Sequence, residues 1–297
     1  MAMRAHRTNA ITLDTPATAS SDVEVDLSSF PTGDGKPMAE NFVNQIQMIG
    51  LQDASRQLLE SQGRPRAVIG GNQFLYYNPY NRRDNLSPDV YIALDVAAGA
   101  RNVWFTWVEG KTPDIVFEIT SPSTRRQDLS TAPRGKLPLY GRLGVREYYV
   151  YDPAAEGAMQ PRLRAFALQG EGDEMRLQEA ALLEGGGAWS TLLRAELRPV
   201  ETPGTEWEPA GVYLRVIDPT TDAPIRVGEE IKQDYRAARA QVATLQERLS
   251  QVEQASQERL NQVEQASQER LNQVEQAFQE RLAASERARL DAEDRAR

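Results

Sequence analysis

A mixed α/β body followed by one long helix is the architecture this sequence predicts, and three observations predict it. A helical stripe precedes a series of short β-rich segments, a second helix and more strands, the order of a sheet with helices on its faces. The segment PDIVFEITSPST at 113–124 is apolar through its strand-like half except for a single glutamate, as expected of a central strand covered on both sides. Beyond residue 229 the chain repeats an 11-residue unit three times.

Residues 1–36 are rich in Thr, Ser, Asp and Ala, with Pro16, Pro31, Gly33 and Gly35. They read as a flexible leader with one short edge strand at 23–27. From Pro37 the pattern turns helical, with Phe42, Ile46, Ile49, Leu51 and Leu58 forming an apolar stripe. Gly63 and Pro65 end that helix. Strands are predicted at 66–69 and 73–77 around the Gly70-Gly71 turn, then at 90–94, 103–107, 115–120 and 147–151. A helix is expected over 130–143, closed by Gly144, with Pro133 and Pro138 placed awkwardly inside it. Short strands at 163–168, 175–178 and 212–217, separated by Gly185-Gly186-Gly187, read as a β-rich elaboration that ends near Pro219 and Pro224. The expected division is a leader at 1–36, a domain at 37–217, a linker at 218–228 and a helical tail at 229–297.

In the tail, LSQVEQASQER at 249–259 recurs as LNQVEQASQER at 260–270 and LNQVEQAFQER at 271–281. Eleven residues over three turns give about 3.67 per turn, which predicts a straight or gently right-handed supercoil. Leu249, Val252 and Ala255, repeated at 260, 263, 266 and 271, 274, 277, form one seam. A solitary solvated helix usually carries oppositely charged pairs four residues apart. Here Glu253 meets Gln257 and Glu258 meets Gln262. Self-association into a homo-oligomer, as a coiled coil, is therefore expected over a lone, partly frayed helix.

Two absences narrow the chemistry. With no cysteine there is no thiol nucleophile and no zinc–thiolate site, and the single histidine, His6, lies in the polar leader. Histidine-based triads and histidine-rich metal sites are disfavoured on that ground. What remains are Asp, Glu, Lys, Arg, Tyr and Ser, a set suited to oxygen-liganded cations such as Mg²⁺ or Mn²⁺. No run approaches the roughly 18 apolar residues of a membrane span, and the N-terminal residues lack the apolar stretch of a signal peptide, so a soluble cytoplasmic protein is expected. Net charge is −9, which disfavours indiscriminate attraction to nucleic acid without excluding a local basic groove.

The credible catalytic material is acidic and strand-borne. Asp89 follows Pro88 at the start of an apolar strand, where ordinary turn chemistry is the competing explanation. Glu118 lies inside its apolar strand, where a carboxylate needs a hydrogen bond, a cation or a raised pKa. Asp114 shares a strand face with Glu118 but stands about 13 Å away, too far to share a metal. The aromatic group Phe74, Tyr76, Tyr77 and Tyr80 could stack bases, although at strand spacing such residues are more often core. Gly70-Gly71 alone is too little for a phosphate-cradling loop.

These residues carry a resemblance. SPDVYIALDV, PDIVFEITSPSTRRQDL, Lys136 and YGRLGVREYYVYDP together resemble the Uma-type endonuclease family of the restriction-endonuclease-like PD-(D/E)XK superfamily, over about residues 35–155. GKPMAENF is similar to that family's entry to its first helix. The resemblance implies a restriction-endonuclease-like mixed sheet flanked by helices, and a metal-dependent DNA endonuclease with DNA as its partner. Asp89 and Glu118, with the Ile119 backbone carbonyl, would hold one or two divalent cations, and Glu40 could add a ligand from the first helix. Thr120 stands where the superfamily carries its lysine, and Lys136 matches the later lysine of the Uma-type pattern. Arg125, Arg126 and Arg134 are the candidate phosphate contacts. The alternative is a nuclease-like body that has lost activity and serves as an oligomerising scaffold, a reading that Thr120, the awkward placement of Lys136 beside Pro138 and the acidic body favour.

Overall fold

The computed structural model describes residues 25–32, 41–205 and 208–295. Helix α1 (Phe42–Ser61) is capped by Asn41, whose side chain accepts the Val43 N–H at 3.0 Å. Its buried face is Gln47, Met48, Leu51, Ala54, Ser55, Leu58 and Leu59. Leu51 and Leu58 of the expected stripe are inside, whereas Phe42 and Ile49 are exposed. The cause is Gln47. Its amide exchanges two hydrogen bonds with the Leu214 backbone, accepting from N at 2.7 Å and donating to O at 2.9 Å. A buried polar group satisfied on both sides is tolerated, and it turns the helix away from the purely apolar stripe.

The next elements are β1 (Ala67–Gly70), β2 (Leu75–Tyr76), β3 (Asn85–Leu86), β4 (Val90–Leu94), β5 (Trp104–Phe105), α2 (Thr106–Glu109), β6 (Ile115–Ile119), α3 (Arg125–Asp128), α4 (Lys136–Leu143) and β7 (Glu147–Tyr151). The strands expected at 73–77 and 103–107 shrink to two residues each, β2 and β5. After them follow β8 (Leu163–Gln169), β9 (Arg176–Glu179), β10 (Ala188–Ser190), β11 (Ala195–Thr202), β12 (Gly211–Asp218) and β13 (Ala223–Pro224). The main sheet has the order β1-β4-β6-β7-β8-β9. Within it β6 and β7 are parallel and the other neighbours antiparallel. This is the mixed, helix-flanked sheet of the restriction-endonuclease-like class. A second, antiparallel sheet runs β10-β11-β12-β13, and a small one β3-β2-β5.

Strand alternation divides the core. Val90, Ile92, Leu94, Ile115, Phe117 and Ile119 face α1 and the second sheet. Tyr91, Ala93 and Val116 face the opposite way, with Leu137 and Tyr140 of α4 above them. All five residues of β6 are buried, as expected for a central strand. The helix expected over 130–143 shrinks to the eight-residue α4, closed by Gly144 at φ 83°, and the single turn α3 lies ahead of the expected start. Pro133 falls between them. Pro138 sits in the first turn of α4, where its missing N–H would have had no intrahelical acceptor, so it neither breaks nor kinks the helix.

Two expected boundaries move. Val25 and Phe30 are buried with Tyr76, so residues 25–32 pack on the body instead of trailing as leader; the expected edge strand at 23–27 lies partly outside the described residues. Residues 218–228 are not a linker either: β13 pairs with β12, and Ile225 and Val227 pack against the main core. The chain divides into two compact units after Ile231. The second is carried by α5 (Glu229–Arg295), 67 residues and about 100 Å of continuous helix at 1.5 Å per residue. On it Leu249, Val252, Leu260, Val263, Leu271 and Val274 are all exposed. No helix of the described residues is long and apolar enough to cross a membrane.

Candidate active site on the α4 side of the main sheet

The antiparallel register of β4 and β6 pairs Val90 with Phe117 and Tyr91 with Val116. Continued by one residue, it sets Asp89 opposite Glu118 on the α4 side of the sheet, with Cβ atoms roughly 5 Å apart for directly opposed residues. The strand-borne acids singled out by the sequence therefore meet on one face. Gly71 fixes the entry to β4: a Cβ there would lie 2.1 Å from the Asp89 carbonyl oxygen, and the neighbouring Asn72 N–H donates to the Pro88 carbonyl at 3.0 Å. The Gly70-Gly71 turn thus serves as close backbone packing beneath Asp89. Asp89 is half-buried, and its Oδ2 accepts the Ile119 N–H at 2.6 Å.

Glu118 is 1% exposed. Its Oε1 accepts from the Tyr140 hydroxyl at 3.0 Å and lies 3.0 Å from the Lys136 ammonium. Burial pushes its carboxyl up to about 8; Lys136 opposes the shift, while Asp89 and Asp128 add to it. Lys136 is the first residue of α4, reaches back to the strand, and donates to Asp128 Oδ1 at 2.7 Å. Its two carboxylate partners hold its pKa above the usual lysine value in spite of burial. Burial, with the Glu118 charge added, holds Tyr140 and Tyr148 well above the usual phenol range.

Thr120 is buried on the same face, and its hydroxyl lies 3.2 Å from that of Thr124. The residue two positions after Glu118 is thus a threonine turned to its own loop, and the ammonium beside Glu118 comes from Lys136 on α4. The Ile119 carbonyl accepts from the Asn44 amide at 3.3 Å. Asp114 is a structural anchor, taking the Leu94 N–H, Lys111 and Arg146. Arg125 is committed to Asp152 and the Gly157 carbonyl, which removes it as a free phosphate contact. Arg126 and Arg134 are exposed and make no hydrogen bond or ion pair among the described residues. Glu40 lies outside those residues. Tyr76 is core, stacked on Phe105 at 5.5 Å, while Tyr80 is 69% exposed.

Three participants carry no strong sequence signal: Asp128, Tyr140 and Asn44. Asp128 is the last acidic residue between the acidic strand and Lys136, the one hint available. Among the described residues no group of three or more His, Cys, Asp or Glu side chains is placed to hold a metal ion. The donor set nevertheless fits a hard cation. Glu118 and Asp128 face one ammonium, Lys136, and Asp89 adds its charge beside Glu118; the excess negative charge is what a divalent cation would offset.

A family model described as "Putative restriction endonuclease" matches residues 37–197, more than half of the chain. No curated protein matches it.

A protonated, buried Glu118 has a consequence for stability. Because its folded pKa lies above its unfolded value of 4.5, the stability it contributes is fully present below pH 4.5 and is lost as pH rises through about 8. Glu118→Gln should flatten the pH dependence of denaturant unfolding between pH 5 and 8.5 in metal-free protein. An unchanged slope would mean that Glu118 is ionised throughout.

Proposed function

The chain belongs to the Uma2 family of the restriction-endonuclease-like fold, and from that premise we propose that it is a metal-dependent DNA endonuclease working in the cytoplasm. The observation that carries this reading is the pairing of Asp89 with Glu118 across β4 and β6, with Lys136 delivered to Glu118 from α4. Asp89, Glu118 and the Ile119 carbonyl would hold Mg²⁺ or Mn²⁺. The cation would neutralise charge on the scissile phosphate and acidify the attacking water. The protein's own groups do the rest. Lys136 presents a fixed positive charge to the developing negative charge. Tyr140 fixes the Glu118 carboxylate, its hydroxyl donating to Oε1. Asn44 orients the Ile119 carbonyl. Arg126 and Arg134, both exposed, would offer charge to the DNA backbone.

One set of contacts favours the second reading, a scaffold without activity: Glu118 already has Lys136 and Tyr140, and the Ile119 carbonyl already has Asn44. Nicking of supercoiled plasmid separates the two. Wild type should nick with Mn²⁺ and not with EDTA, Glu118→Gln should abolish nicking, and Lys136→Ala should slow it by about 10²-fold or more, the scale of a lost electrostatic donor. Absence of Mn²⁺-dependent nicking in the wild type would leave the scaffold.

The tail supports a homo-oligomer in either reading. Its repeats are tied by side-chain hydrogen bonds such as Gln257 to Asn261 at 3.0 Å and Gln268 to Asn272 at 3.1 Å, on a helix that exposes a Leu and Val seam every 11 residues. A fully buried leucine is worth about 1.5–3 kcal/mol, so three per helix give a modest, concentration-dependent association. Light scattering should show full-length protein above monomer mass and the Leu249→Asp, Leu260→Asp, Leu271→Asp triple variant at monomer mass. Equal masses would remove the tail as the oligomerisation element.

A further inference from the structure

Lys136 occupies a costly position. As the first residue of α4 it places a positive charge at the positive end of the helix dipole, and its side chain is only 17% exposed. Two carboxylates hold it there. Glu118 at 3.0 Å is one, and on the endonuclease reading that carboxylate is also wanted by the cation. Asp128 at 2.7 Å is the other.

Asp128 is 2% exposed, and its backbone is pinned on both sides. Its N–H donates to the Thr124 carbonyl at 3.1 Å and its carbonyl accepts from the buried Tyr148 hydroxyl at 2.8 Å. The loop that returns the chain to Lys136 is equally constrained. Gly135 packs so closely on Ser130 that a Cβ would lie 2.4 Å from the Ser130 carbonyl oxygen, and this tight return lets residues eight apart meet at hydrogen-bond distance. A buried carboxylate costs desolvation unless it is well paired, and the side-chain partner of Asp128 is Lys136.

We propose that Asp128 is the positioning residue for Lys136: it keeps the ammonium over the site when Glu118 is engaged by a cation. The proposal rests on the endonuclease reading for its purpose, but the hold itself is a property of the protein alone. It accounts for how a lysine on a helix can substitute for one on the strand. A strand lysine is fixed by its backbone, whereas a lysine reaching over from α4 needs a second anchor that the cation does not claim.

The test reads the lysine directly. Full-length protein with Ca²⁺ is pulsed with acetic anhydride, and acetylation at Lys136 is quantified by mass spectrometry. Asp128→Asn, close to isosteric, should label faster than wild type on the order of tenfold, the scale of one lost charge-assisted hydrogen bond. Glu118→Gln, which leaves Asp128 in place, should label at close to the wild-type rate. In nicking assays Asp128→Asn should lower kcat by about 10²-fold, the cost of roughly 1 Å of misplacement, with KM for DNA unchanged. Asp128→Glu, which restores the charge, should recover part of both losses. Labelling in Asp128→Asn equal to wild type, with the variant melting normally, overturns the proposal. Should the variant melt early, labelling of Asp128→Glu is compared instead, and a rate above that of Asp128→Asn overturns it. A wild type that neither binds Mn²⁺ nor nicks DNA would end the endonuclease reading, while the labelling would still decide whether Asp128 holds the lysine.

Discussion

The ammonium of Lys136, buried between Glu118 and Asp128, is the constraint around which the rest of the site is arranged. Charges are costly to remove from water, and here the acids outnumber the base. The β4–β6 register brings Asp89 to Glu118, while α4 brings Lys136 and Tyr140 down on the same carboxylate. What the protein leaves unbalanced is negative, and Glu118 resolves this in metal-free protein by keeping a proton up to about pH 8. On the proposed function the same imbalance would favour a divalent cation, so one electrostatic fact links stability, protonation and the proposed chemistry.

Supporting contacts reach this centre from several layers. Gly71 lets the chain pass against the Asp89 backbone, α1 contributes Asn44 to the Ile119 carbonyl, and Tyr148 on β7 fixes the carbonyl of Asp128. Helix α1 is held in turn by the hydrogen bonds of Gln47 to Leu214 in the second sheet. The second sheet is therefore part of the support for the site as well as an elaboration of the body. A fixed surrounding matters because misplacement of about 1 Å at a reacting centre can cost 10²-fold in rate.

The parts of this structure legible in the sequence are those with local causes. The apolar run around Glu118 marks β6 as central, and Gly144 marks the end of α4, because each signal lies within its own element. Asp89 and Glu118 are legible for the same reason: acids beside or within apolar strands need an explanation. Long-range pairing hides the rest. The buried face of α1 includes Gln47 and Ser55, which apolar patterning assigns outward. Strand β11 carries Pro199 opposite Leu214, and a proline within a strand argues against the strand. Asp128 and Lys136 belong to different short helices, and only the packing of Gly135 on Ser130 brings them together.

Calorimetric titration of Mn²⁺ at pH 7, in two buffers of different protonation enthalpy, tests the central claim most directly, because a ligand that binds its cation as a carboxylate must give up its proton. A Glu118 protonated up to about pH 8 should release about one proton as Mn²⁺ binds wild type, and Glu118→Gln should release none. Binding without proton release, or the same release from both proteins, would contradict the account.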